Sequence, residues 1–132
     1  MQKENELAGF KVLVTDDSNT IRRSAEIFLK ASGCGVILAE DGFDALAKVA
    51  EHEPDMVFVD VMMPRLDGYQ TCALIKRNKR YSDTPVVMLS GQDGVFDRAR
   101  GCLAGADEYL TKPFTKEGLL GAIRRHCAQA SN

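Results

Sequence analysis

The chain has 132 residues, enough to bury one full core and short enough to form one domain. With 45% hydrophobic and 27% charged residues and no low-complexity tract, it suits a globular fold better than a disordered segment. A net charge of -2 argues against a general nucleic-acid binder, and no apolar stretch approaches the ~20 residues of a membrane span. The polar start, Met1-Gln2-Lys3-Glu4-Asn5-Glu6, holds no apolar signal core, so a cytoplasmic protein without membrane insertion is expected.

Apolar runs alternate with helical patterns five times. The first run, Lys11–Thr15, closes on Asp16 and Asp17. A helical segment follows over Ser18–Ser32: Ser18 can cap it, Ile21, Ala25, Phe28 and Leu29 form its apolar stripe, and Gly33 can end it in a left-handed conformation. The second run, Gly35–Ala39, leads to Asp41, a candidate cap for Gly42–His52, with Leu46, Val49 and Ala50 expected to face inward and Pro54 barring continuation. The third run, Asp55–Asp60, is apolar without alternation over Met56-Val57-Phe58-Val59, and a loop then runs through Val61-Met62-Met63-Pro64 to Asp67-Gly68. Asp67–Lys79 reads as helix, Pro85–Leu89 as a further buried strand ending at Ser90, and Val95–Leu103 as helix. Gly105 marks the turn into the fifth run, Ala106–Tyr109, after which come Lys112 and Pro113. The Lys112-Pro113 bond is a candidate cis peptide. Thr115 can cap the last segment, Lys116–Ala128, with Phe114 and Leu119 spaced as a hydrophobic staple.

This alternation predicts a parallel sheet with helices on both faces, and the unbroken apolar runs 56–59 and 86–89 predict central strands. Residues 1–9 and 129–132 are expected to be flexible tails around a single domain at 10–128. Cys34, Cys72, Cys102 and Cys127 are scattered, with no C-x-x-C pair, and are expected to be buried or half-buried free thiols. His52 and His126 read as helix-surface residues, which leaves no zinc-type ligand set.

The acids are the chemical signal. Parallel strands bring their carboxyl ends to one edge of a sheet, where open α/β folds place ligands. Asp16 and Asp17 alone could be helix caps. Asp60, ending a buried apolar strand nearby, makes a cation site the better reading, because crowded carboxylates repel and Mg²⁺ prefers hard oxygen ligands. Lys112, beyond the fifth strand, can supply a cationic donor for a carboxylate or phosphate oxygen, and Ser90 a hydroxyl.

These residues, as Val14-Thr15-Asp16-Asp17-Ser18, Phe58-Val59-Asp60-Val61-Met62-Met63-Pro64 with Asp67-Gly68, Leu89-Ser90-Gly91 and Leu110-Thr111-Lys112-Pro113-Phe114, make the chain resemble the receiver domains of bacterial two-component response regulators along essentially its whole length. Thr20-Ile21-Arg22-Arg23, Asp41 to Lys48 and Asp67 to Lys76 are also similar to the PilG-type single-domain regulators of type IV pilus twitching motility. The resemblance implies a flavodoxin-like, doubly wound five-stranded parallel sheet in the order 2-1-3-4-5 with five helices, the order for which a chemotaxis member of this family is the standard example. It implies Asp60 as phosphoacceptor, with Asp17 and Asp60 holding Mg²⁺ directly, Asp16 acting through water and the Met62 backbone carbonyl completing the site. Lys112 and Ser90 would contact phosphoryl oxygens, and Ser90 and Tyr109 would form the switch that alters the face made by the fourth helix, fifth strand and fifth helix.

The expected donor is a CheA-like histidine kinase or its phosphotransfer domain, and the expected recipient of the signal is a downstream motility or pilus-control protein, bound by a monomer. A flagellar-chemotaxis-type switch and a phosphorylation-independent interaction module are the alternatives. The chain is not expected to be an enzyme on an external substrate, because a phosphohydrolase would need a second acid close after Asp60 and Met62 stands two residues on. A flavodoxin-type cofactor site has no G-x-G-x-x-G after the first strand to support it. Met62 and Gln92, beside the site, suggest that spontaneous hydrolysis is not especially fast.

Overall fold

The computed structural model describes residues 7–91 and 98–127. Gln92, the expected helix start at Val95, and most of both expected tails lie outside the described residues. Five strands and five helices alternate: β1 (Lys11–Thr15), α1 (Asn19–Lys30), β2 (Gly35–Ala39), α2 (Gly42–His52), β3 (Met56–Asp60), α3 (Gly68–Arg77), β4 (Val86–Ser90), α4 (Arg98–Ala104), β5 (Glu108–Thr111) and α5 (Lys116–His126). All strand pairs are parallel, and the order across the sheet is β2-β1-β3-β4-β5. This is the fold class expected from the resemblance.

Side chains of a strand alternate between its two faces, so consecutive residues serve different cores. Val12, Val14, Phe58 and Leu89 pack with Ala25 and Leu29 of α1 and Leu119 and Ile123 of α5. Leu13, Val57, Val59 and Met88 pack on the other face with Ala45 and Val49 of α2, Tyr69, Cys72 and Ile75 of α3, and Ala104 of α4. β3 and β4 lie between both layers and are buried at every position, which is why neither shows polar alternation.

The punctuation follows local chemistry. Ser18, Asp41 and Thr115 each accept a bond from the amide three residues on. Asp67 and Gln70 form a reciprocal capping box at the start of α3. Gly33 and Gly105 take φ of +89° and +90°, as the turns after α1 and α4 require. The Lys112-Pro113 peptide is cis.

Several details differ from expectation. β5 begins two residues later, because Ala106 and Asp107 are spent on the turn: Ala106 N–H donates to Gly101 O, and the Asp107 carboxylate accepts from Val86 N–H. Ala50 is exposed, and α2 buries Ala45 and Val49 instead. Cys102 is exposed, whereas the other three thiols are buried. Leu7, assigned to the tail, is 1% exposed and donates its amide to Ser32 O; a lone leucine among polar residues shows no periodicity that could reveal this.

Candidate functional site

The site stands at the carboxyl edge of β1, β3, β4 and β5. Parallel register fixes the residues there: Thr15 lies opposite Val59, Asp60 opposite Leu89, and Ser90 opposite Thr111. Each strand therefore ends within one residue of its neighbour, and Asp16, Asp60, Ser90 and Lys112 share one edge. The Lys112 amide donates to Ser90 O at 2.7 Å, tying the lysine's backbone to β4.

The carboxylates converge. Asp16, Asp17 and Asp60 each offer an oxygen within 4.8 Å of the others. Asp16 is fully buried and Asp60 is 3% exposed, whereas Asp17 faces solvent. Two carboxylates at that spacing repel by roughly 3 kcal/mol at an effective dielectric constant of ~20. Lys112 partly offsets this. Its Nζ donates to Asp16 Oδ2 at 3.0 Å and to Asp60 Oδ1 at 3.1 Å. Asp16 Oδ1 accepts from Ser18 N–H at 2.9 Å, and Asp60 Oδ1 accepts from Met62 N–H at 3.2 Å.

Burial pushes the Asp60 carboxyl up to about 6, the Asp16 charge adds to the rise, and Lys112 and the Met62 amide oppose it. Lys112 is disfavoured as a cation by burial, yet its bond to Asp16 and the charges of Asp16 and Asp60 carry it above the usual lysine value. Within the three-acid cluster, Lys112 is thus paired with Asp16 and Asp60. The donor set is all oxygen, with no histidine or cysteine among the clustered ligands, and it suits a small hard divalent cation.

The loop after Asp60 is held against the site by close packing. Gly68 N–H donates to Val61 O at 2.9 Å. A Cβ at Gly68 would stand 2.4 Å from the Asp60 carbonyl oxygen and 2.8 Å from Val61 Cα, so only glycine permits α3 to start there. Arg65, at φ +69°, donates to Asp41 Oδ2 at 2.9 Å and joins this loop to the cap of α2. The Met62 side chain stands outside, 70% exposed.

Ser90 is buried, its hydroxyl 3.5 Å from Gly91 O, at the outer limit of a hydrogen bond. Tyr109 is half-buried on β5. Its hydroxyl accepts from Arg98 Nη2 at 2.6 Å, and the Arg98 guanidinium lies 5.4 Å from its ring centroid. Sequence reasoning missed Arg98 and the close approach at Gly68. The Asp-Gly dipeptide and an arginine in the fourth helical segment were the available signals, and neither is specific. Thr15, just before the acids, is fully buried, and its Oγ1 has no hydrogen-bond partner among the described residues.

His126 lies half-buried with its Nε2 2.7 Å from Glu108 Oε1, so it is part of the packing at the opposite end of the sheet. Among the described residues no helix is long and apolar enough to cross a membrane.

The sequence profile of the response regulator receiver domain matches residues 12–124. Protein PilG of Pseudomonas aeruginosa is 63% identical over 123 residues, which cover 93% of this chain and 91% of that protein. The chemotaxis protein CheY4 of Vibrio cholerae superposes with a TM-score of 0.84 at 34% identity, covering 90% of this chain and 99% of that one. The receiver domain of the sensor histidine kinase PA1611 from Pseudomonas aeruginosa, which carries a magnesium ion coordinated in its active site cleft, superposes with a TM-score of 0.82 at 28% identity, covering 90% of this chain and 98% of that one.

Proposed function

The chain belongs to the response regulator receiver family, and on that footing we propose that it is a phosphorylatable switch whose Asp60 accepts a phosphoryl group from a histidine kinase. One observation carries this reading: a buried strand ends in a carboxylate that shares an edge with two further acids and lies 3.1 Å from a lysine. Such an edge is costly to fold unless charge neutralisation there serves chemistry.

Asp17 and Asp60 would hold Mg²⁺ directly, with the Met62 carbonyl completing the set and Asp16 acting through water. When bound, the ion would neutralise charge on the phosphoryl oxygens. The other roles fall to the chain's own groups. Asp60 Oδ1 is occupied by Lys112 and the Met62 amide, which leaves Oδ2 as the attacking oxygen. A phosphorus–oxygen bond forms there as the phosphorus–nitrogen bond of a phosphohistidine breaks and the imidazole departs with the electron pair. Lys112 Nζ and the Ser90 hydroxyl then hold phosphoryl oxygens. The protein is a signalling partner that promotes only its own phosphorylation and dephosphorylation.

The readout is conformational. Ser90, moving toward the phosphoryl group, would vacate space for Tyr109, which would give up its bond to Arg98. The face of α4, β5 and α5 would change with it, and phosphorylation would bias a two-state element already present. The donor is proposed to be a CheA-like histidine kinase or its phosphotransfer domain, and the recipient a motility protein in type IV pilus twitching, a pathway supported by the likeness to PilG over nearly the whole chain.

Intact mass after incubation with acetyl phosphate, with and without Mg²⁺, tests the chemistry. The expected result is a Mg²⁺-dependent gain of one phosphoryl group that Asp60→Asn abolishes. A gain that persists in Asp60→Asn would remove Asp60 from the role.

A further inference from the structure

On the α2–α3–α4 side of the molecule a groove of about 250 Å³ runs between α3 and α4, sharing only α4 with the face assigned to readout above. Tyr69, Ala73 and Arg77 line it at helical spacing from α3, and Arg100, Leu103 and Ala104 from α4. Its floor is apolar. Leu103 is 88% exposed on one lip. A single exposed leucine is ordinary, but this one borders an apolar floor and extends it to the lip.

The charge is one-sided. Among the described residues no acid lines the groove, although the chain as a whole carries a net charge of -2. Arg100 stacks over Tyr69 at 4.2 Å from the ring centroid and reaches Asp67 at 3.4 Å, so it is held as part of the wall. Arg77 is exposed and makes no ion pair among the described residues, unlike Lys76 next to it, whose Nζ lies 2.9 Å from Asp107. A basic residue in the last turn of α3 does favour the helix dipole, but that explains its place in the sequence and not the leucine across the groove.

We propose that the α3–α4 groove is a docking surface for a short acidic amphipathic helix of a partner protein. α3 has 10 residues and α4 has 7, so at 1.5 Å per residue the groove offers roughly 10–15 Å, two to three turns of an occupant. That length takes two apolar anchors one turn apart, seated on Ala73 and Leu103, with a carboxylate meeting Arg77. Nucleic acid fits less well, because phosphate binding needs several free cations along a track and here an apolar floor separates two arginines, one of them stacked. The test uses the unphosphorylated protein and reads Ala73, Arg77 and Leu103 directly, so it can fail without touching the proposed phosphorylation of Asp60.

The test is an NMR titration of the ¹⁵N-labelled full chain with three probes: a stapled helical peptide with leucines at i and i+4 flanked by glutamates, the same peptide with lysines for glutamates, and a single-stranded oligonucleotide. Shifts from the acidic peptide centred on Ala73, Arg77 and Leu103, weakened roughly tenfold by Arg77→Glu and by Leu103→Asp, are expected. Unchanged spectra away from the substitutions would show that both variants fold. No binding, shifts mapping elsewhere, or equal binding of the lysine peptide would overturn the proposal. Binding of the oligonucleotide at the same residues in preference to the acidic peptide would overturn it in favour of nucleic acid.

Discussion

The two edges of the sheet use carboxylates in opposite ways. At the amino edge, Asp55 accepts from the Lys11 amide at 2.8 Å, Asp107 accepts from the Val86 amide and Lys76, and Glu108 meets Arg125 and His126. Burial works against the Glu108 charge, yet these cations hold its carboxyl below the usual glutamate value. At the carboxyl edge three acids cluster, one lysine reaches two of them, and Asp60 is pushed upward. Acids that each have a partner hold strands in register; acids left to face one another form a site that a cation and a phosphoryl group can complete. Residue type alone does not separate the two uses, and the number of counter-charges does.

The comparison can be broken most severely at the carboxyl edge by Gly68→Ala. Its methyl group meets backbone at 2.4 Å, where no side chain can yield. A loss of about 3 kcal/mol in urea unfolding is expected, at the upper end of overpacking costs. A loss under ~1 kcal/mol would mean that the loop after Asp60 moves freely.

Asp60→Asn acts in the other direction. A native carboxyl raised from 3.8 to about 6 binds its proton more tightly than the unfolded chain does, so Asp60 costs stability progressively as pH rises from about 4 through 6. At pH 7 without divalent cations, Asp60→Asn should stabilise the protein by about 3 kcal/mol. Addition of Mg²⁺ should shrink that gap by stabilising only the unsubstituted protein. Equal melting temperatures for the two proteins at pH 7 without Mg²⁺ would show that the edge carries no cost.

Thr15→Val, just before the acids, removes a buried hydroxyl without a partner and keeps the volume. It should stabilise by about 1 kcal/mol, and destabilisation would reveal a partner for Oγ1.

The smallest effect belongs to the amino edge. Because the Glu108 carboxyl is depressed, its contribution is complete above the ordinary glutamate value near 4.5 and fades as pH falls below it. Arg125 is half exposed, so solvent screening limits the contribution to ~0.5 kcal/mol. Glu108→Gln should cost that much at pH 7 and progressively less as pH falls below 4.5, as read by chemical denaturation across that range.

Most of the architecture was legible in the chain. Unbroken apolar runs identified β3 and β4 as central, and Ser18, Asp41 and Thr115 each begin the helix their position announces. Those signals are local, because a cap or a periodic stripe acts within one or two turns. Less legible were the ends and the edges. β5 starts late because the Asp107 side chain satisfies a β4 amide 21 residues away, and Ala50 looked as apolar as Val49 without being covered.

By itself, the sequence determined the alternation of strand and helix, the double burial of the central strands and the placing of an acid or lysine after β1, β3 and β5. These follow from side-chain periodicity and from the few residues able to start or stop an element. Only the tertiary structure decided which charges meet. Lys112 reaches Asp16 across 96 residues and Asp60 across 52, and Gly68 lets α3 begin against the Asp60 carbonyl. Electrostatic repulsion and close packing depend on distance in space, and the chain acquires those distances when the parallel sheet aligns its strand ends.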